Sequence, residues 1–173
     1  ASGSRPDRMF HAYSTEPDRY LKGVNDELVD YILTNFITAI YGIFTPGTEP
    51  GKVRFRYSNG AHVKPIVERA GAGSAFEGVS GTLIGVSEDI EFDLNETMLS
   101  RGDRVYLVTD GIPETVNEKL DSMGFGQELI DLFVGCRRDS LPETLDEVIG
   151  ETVRFRNGFP QQDDITLIGF EVL

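Results

Sequence analysis

The sequence predicts an α+β fold, an antiparallel β-sandwich flanked by helices, and three observations carry that prediction. The segments read as one helix, a run of strands, two helices and a final strand; strands in consecutive runs pair antiparallel rather than winding as βαβ units. Val53 to Asn59 alternates, with Val53, Phe55 and Tyr57 on one face and Arg54, Arg56 and Ser58 on the other, the pattern of a half-buried strand. The stretches 36–44 and 165–172 are apolar on both faces, which suits strands covered on both sides. Two sheets packed together with helices outside satisfy all three.

Composition narrows the function. A chain of 173 residues falls within the span of about 100–200 residues common for one domain. Its 39% hydrophobic and 26% charged residues are ordinary globular usage, against wholesale disorder. The net charge of −13 repels phosphate backbones and anionic lipid, so nucleic-acid and membrane-surface roles are disfavoured. Cys136 is the single cysteine and cannot form an internal disulfide, which fits a reducing, cytoplasmic setting. The first 17 residues hold no apolar signal core. The most apolar window, Leu28 to Phe44, carries Asp30 and Asn35, so no membrane insertion is expected. Ala1-Ser2-Gly3-Ser4 has the composition of a flexible linker or cloning remnant; residues 1–15 are assigned to it, and 16–173 to the folded domain.

Glu16 to Leu33 places Leu21, Val24, Leu28, Tyr31 and Ile32 at helical spacing, with Pro17 suited to the first turn. FITAIYGIF at 36–44 is rich in β-branched and aromatic residues, and the turn cluster Thr45 to Gly51 separates it from the strand at 53–59, its expected hairpin partner. Asn59-Gly60 signals a turn, followed by a strand over Val63 to Glu68. Ala70 to Gly85 contains five glycines but lacks the Gly-Lys-Ser/Thr ending of a P-loop, so a plain loop is expected rather than a phosphate cradle. Ile90 to Leu94 alternates again, and Arg104 to Thr109 is an apolar strand ended by Asp110-Gly111. Helices are expected over Gly126 to Cys136 and Leu141 to Phe155, with Pro142 tolerated at a helix start. A strand over Ile165 to Val172 closes the chain.

Chemistry gathers at two acidic signals: Asp110 ends one apolar strand, and Asp163 and Asp164 open the last one. If those strands are antiparallel neighbours, Asp110 and Asp164 converge at one edge. Carboxylates brought together there repel one another and favour a hard divalent cation with oxygen ligands, Mg²⁺ or Mn²⁺. Each motif alone is common in structural turns; both at ends of apolar strands favour a site. His11, His62 and Cys136 give no zinc-ligand spacing, and no Gly-x-Ser-x-Gly elbow supports a Ser-His-Asp triad. Arg101-Gly102-Asp103 reads as a turn feeding the next strand, and His62 as a structural residue at a strand start.

The series FITAIYGIF, YSNGAH with Pro65, GTLIGV at 81–86, RGDRVYLVTDGIPE, MGFG at 123–126 and DDITLI resembles the PPM-type metal-dependent protein phosphatases. It is most similar to their SpoIIE-like branch, which regulates sigma factors, and LKGVNDEL at 21–28 fits the helix preceding the first of these strands. The resemblance covers about residues 16–173 and implies a helix-flanked β-sandwich holding two Mn²⁺ or Mg²⁺ ions. It implies that Asp110 with Gly111 is the Asp-Gly metal motif and that Asp164 is the second metal-binding aspartate, with Asp163 its less certain neighbour. The implied reaction is hydrolysis of phosphoserine or phosphothreonine on a STAS-domain anti-sigma-factor antagonist, the metals lowering the pKa of a bridging water and holding the phosphoryl oxygens. The implied setting is a bacterial signalling pathway, in a longer protein with an upstream sensor or receiver domain. The family also draws ligands from a Gly-Asp strand and an Asp-x-x-Gly-His-Gly segment ahead of the helix at 16–33. The first 15 residues offer only Asp7 and a His11 without flanking glycines, so the domain is expected to lack its first strands, leaving a sheet edge that invites a homodimer. A non-catalytic pseudophosphatase that grips a partner is the rival reading.

Overall fold

The computed structural model describes residues 13–29 and 36–173. Helix α1 spans Pro17–Leu28, followed by β1 (Ala39–Pro46), β2 (Lys52–Gly60), β3 (Ile66–Arg69), β4 (Gly73–Phe76), β5 (Asn95–Ser100) and β6 (Arg104–Val108). Helices α2 (Gln127–Cys136) and α3 (Leu141–Arg156) precede the last strand, β7 (Leu167–Glu171). Its pairs of known register are antiparallel, within a three-stranded sheet of order β1-β2-β5 and a four-stranded sheet of order β4-β3-β6-β7. The architecture is α+β, as the element order predicts.

The described chain divides into two compact units, one of residues up to His62 plus Gly78–Leu99, the other Val63–Glu77 plus Ser100–Leu173. In the first, β1 and β2 form the expected hairpin, from Ala39 opposite Gly60 to Pro46 opposite Val53. The alternation of β2 buries Phe55 and Tyr57. Leu21 of α1 packs with Ile84 and Phe92. Asn25, fully buried on the same helix, accepts from the Gly85 N–H at 2.9 Å and donates to the Ser87 carbonyl at 2.9 Å. A buried amide is tolerated only when so satisfied, and here it ties the 85–87 segment to α1. Residues 30–33, the last part of the expected helix, lie outside the described residues, as does His11.

In the second unit, β6 pairs with β3 on one side and β7 on the other. Its apolar cluster joins Ile66, Tyr106 and Val108 of the strands to Leu129, Phe133 and Val148 of the helices, with Ile112 and Cys136. Helix α3 begins in a capping box, Ser140 with Glu143, which satisfies otherwise orphaned N–H groups. Arg104, 1% exposed, donates to Glu171 (2.9 Å), Thr144 (3.1 Å) and the carbonyls of Arg138 (3.0 Å) and Asp139 (2.9 Å).

Five expectations change. The stretch Ile90 to Leu94 makes no ladder; the strand forms at Asn95–Ser100, where Thr97 and Leu99 are the buried positions. The inward phase therefore switches from even to odd positions, and the alternation at 90–94 reflects packing of Ile90 and Phe92 on α1. The glycine-rich loop contains β4, because the turn at Arg69–Gly73, with Gly71 at φ +76°, returns the chain antiparallel to β3. Asn59 and Gly60 finish β2 instead of forming its turn. The turn follows, with Ala61 at φ +54° and the Asn59 side chain bonded to both the N–H and the carbonyl of His62. His62 therefore lies in that turn, its Nδ1 3.1 Å from Thr38 Oγ1. Finally, neither 36–44 nor 165–172 is covered on both faces: β1 has no fully buried residue and Phe36 is 62% exposed, while in β7 Ile168 is 46% and Phe170 39% exposed. Gly169, on the other face, lies so close to Leu141 and Leu145 that a Cβ there would meet the Leu141 side chain at 2.9 Å.

Candidate metal centre at the ends of β6 and β7

The site is built by two chain segments that meet where the ladder between β6 and β7 ends. Val108 lies opposite Leu167, and the Thr109 N–H donates to the Thr166 carbonyl at 3.1 Å, so the pairing continues past the last ladder residues. After Thr109 the chain turns. The Glu114 N–H donates to the Asp110 carbonyl at 2.8 Å, one helical turn of backbone. Fully buried Ile112 anchors this turn in the apolar cluster. With Ile112 inward, Asp110 and Glu114 both stand exposed, four residues apart and therefore on one side of the turn.

The second segment brings Asp163. Its carbonyl accepts from Gln161 Nε2 at 2.8 Å, and Gln161 in turn accepts from Arg156 at 3.0 Å. One carboxylate oxygen, Oδ1, accepts from the Asp164 N–H at 2.7 Å, which fixes the side chain against its own backbone. Carboxylate oxygens of Asp110, Glu114 and Asp163 lie within 4.8 Å of one another. None of the ion pairs among the described residues involves these three or Asp164. Three like charges so close, with no protein cation ion-paired to them, make an oxygen-only, anionic group open to water, of the kind that could hold a hard divalent ion.

Gly111 contributes by having no side chain. A Cβ there would stand 2.3 Å from the Asp164 carbonyl oxygen, so only glycine lets the two segments approach this closely. The Asp164 carbonyl is held by the Thr109 hydroxyl at 3.1 Å.

The sequence expectation thus meets the structure residue by residue. Asp110 and Asp163 come together; Asp164 sits beside them but engages through its backbone, and its carboxylate is not in the cluster. Glu114 joins the cluster without being among the residues the sequence motifs single out. The signal available for it is the four-residue spacing from Asp110 across a turn with an apolar residue between. Arg101-Gly102-Asp103 is a turn, with the Asp103 N–H bonded to the Ser100 carbonyl at 2.9 Å.

Comparisons with known proteins agree with this fold. The family model of Stage II sporulation protein E (SpoIIE) matches residues 8–173. Among solved structures, the SiaA-PP2C domain of Pseudomonas aeruginosa superposes with a TM-score of 0.76 at 19% identity, over 96% of this chain and 65% of that one. The manganese-presoaked phosphatase domain of SpoIIE from Bacillus subtilis gives 0.67 at 18% identity, over 98% and 73%. The catalytic domain of the serine/threonine phosphatase PstP, in complex with two manganese ions, gives 0.58 at 12%, over 98% and 72%. No curated protein matches. The chain thus spans about two thirds of the SiaA domain. On the match across nearly all of its residues, the chain belongs to the SpoIIE family, with the fold of PP2C-type, PPM phosphatase domains.

Proposed function

We propose that this is a metal-dependent protein serine/threonine phosphatase domain, with Asp110, Glu114 and Asp163 holding Mn²⁺ or Mg²⁺ and Gly111 allowing the close approach of the Asp164 backbone. The observation that supports it most is the three-carboxylate cluster at the Asp-Gly and Asp-Asp motifs of a SpoIIE family member. When bound, such an ion supplies a water of lowered pKa and a counter-charge for phosphoryl oxygens. The chain's own residues concentrate negative charge at an exposed edge, and the substrate phosphate is admitted only when a cation reverses that sign. This reading takes Asp163 rather than Asp164 as the ligand, the reverse of the ranking implied by the resemblance, and its support is that the Asp163 carboxylate lies with those of Asp110 and Glu114.

The substrate class we infer is a phosphoserine or phosphothreonine on a STAS-type anti-sigma-factor antagonist, in a bacterial cytoplasmic pathway, with a sensor or receiver domain elsewhere in the protein. Its support is the SpoIIE membership; no described helix is long and apolar enough to cross a membrane. The Gly-Asp and Gly-His-Gly ligand segments of the resemblance are not among these 173 residues. The chain by itself is therefore expected to bind Mn²⁺ weakly and to turn over slowly, and the same gap supports the rival reading of a partner-binding pseudophosphatase.

Calorimetric titration with Mn²⁺ of the wild type, Asp110→Asn, Glu114→Gln, Asp163→Asn and Asp164→Asn tests the site. Binding should weaken at 110, 114 and 163, and less at 164; equal heats for all five proteins refute the site. Release of phosphate from a phosphoserine protein, absent in Asp110→Asn, separates the enzyme from the pseudophosphatase.

A further inference from the structure

We propose that Thr109 is a positioning residue of this site: its hydroxyl sets where the Asp163 carboxylate stands relative to Asp110 and Glu114. The inference rests on the metal-site reading above and adds to it a residue that is not itself a ligand.

Thr109 lies between the end of β6 and Asp110, and its hydroxyl makes bonds in both directions. It donates to the Asp164 carbonyl at 3.1 Å and accepts from the Thr166 N–H at 2.9 Å. The Thr109 N–H also reaches the Thr166 carbonyl, at 3.1 Å. One residue thus grips the incoming segment at three points, just before that segment enters β7. The grip passes to the carboxylate, because the other end of residue Asp164, its N–H, holds Asp163 Oδ1 at 2.7 Å. Hydroxyl, carbonyl, N–H and carboxylate form one chain of contacts from the residue preceding Asp110 to the third member of the cluster. Gly111 lies against the same carbonyl, since even a Cβ would overlap it. Asp164 is therefore seated against Thr109 and Gly111 through its backbone. This explains why its carboxylate is not in the cluster although it is adjacent in sequence.

Valine keeps the shape of threonine without the hydroxyl; it leaves the Asp164 carbonyl and the Thr166 N–H without this partner. Serine keeps the hydroxyl and loses the methyl. Partners that orient metal ligands typically change metal affinity by about 10–100-fold when removed. Titration of Mn²⁺ into the wild type, Thr109→Val, Thr109→Ser and Asp110→Asn, followed by calorimetry and by the electron spin resonance of free Mn²⁺, reads the effect without any substrate. The expected result is a dissociation constant raised about tenfold or more in Thr109→Val, with Thr109→Ser close to the wild type. Thr109→Ala carries the same test if the valine protein does not fold. Wild-type affinity in Thr109→Val while Asp110→Asn is impaired overturns this inference alone. Equal losses in the serine and valine variants also overturn it, since the hydroxyl would then not be what matters. Identical heats for wild type and Asp110→Asn overturn the metal site and this inference with it.

Discussion

Replacing Gly111 by alanine adds one methyl group at the point where the two acidic segments touch. The φ of Gly111 is not positive, so alanine meets no backbone strain, and the effect is steric alone. The added Cβ would stand 2.3 Å from the Asp164 carbonyl oxygen and 3.1 Å from Ile165 Cγ1. The first distance is about 0.7 Å inside the closest approach real Cβ atoms make, so backbone must move, and overpacking of this kind costs about 1–3 kcal/mol. The movable part is the backbone of Asp164, whose carbonyl accepts from Thr109 and whose N–H donates to Asp163. Stability and Mn²⁺ binding should therefore fall together, the latter by about tenfold, as for other losses of ligand support. Gly135→Ala is the control. It lies in α2, where a Cβ would meet nothing within 4 Å, and alanine in a helix should stabilise by about 0.5–1 kcal/mol. Urea denaturation and Mn²⁺ calorimetry on both variants read the two effects. A Gly111→Ala protein with wild-type midpoint and wild-type Mn²⁺ heats would refute the close-approach argument.

Arg104→Met should cost about 3–5 kcal/mol in urea denaturation, because a buried guanidinium is removed from Glu171 and two carbonyls that lose their donor; a loss below 1 kcal/mol would contradict it. Asp103 titrates with stability. Burial pushes its carboxyl up, but the N–H groups of Ser100 and Ala70 and the Arg69 guanidinium outweigh this and hold it below the usual value. The stabilisation is therefore complete above the unfolded pKa of about 4 and is lost as pH falls through the lower folded value. The stability gap between wild type and Asp103→Asn should close as the solution is acidified below about pH 4, and a gap unchanged down to pH 2 counts against it. β7 ends its sheet among the described residues with Ile168 and Phe170 well exposed, so the protein should self-associate at high concentration; light scattering that finds only monomer there excludes this.

Much of the fold is legible from residue pattern because the pattern and the burial have the same cause. On β2 the alternation marks the side that is withdrawn from water: Phe55 and Tyr57 are buried as it predicts, stacked on one another, with Phe55 also stacked on Phe44. The two C-terminal helices fall within a residue of their expected bounds, since their apolar positions at helical spacing face the sheet. Pattern fails where burial and pairing part company. Ile90 and Phe92 pack without a ladder, while β4 pairs along its backbone with little apolar side chain to show for it.

Residue order alone establishes that an aspartate ends one apolar strand and that two more precede another, and so that acidic groups could meet if those strands paired. Which groups meet depends on contacts between distant segments. Neighbouring residues in extended chain point to opposite sides, so the choice between Asp163 and Asp164 turns on register, and the pairing of Val108 with Leu167 is fixed by the packing of whole strands. Glu114 enters the cluster because a turn anchored by Ile112 carries it back beside Asp110. The Thr109 hydroxyl finds the Asp164 carbonyl 55 positions away for the same reason. Local preference sets what each segment is, whereas the coincidence of carboxylates at one edge depends on contacts between segments far apart in the chain.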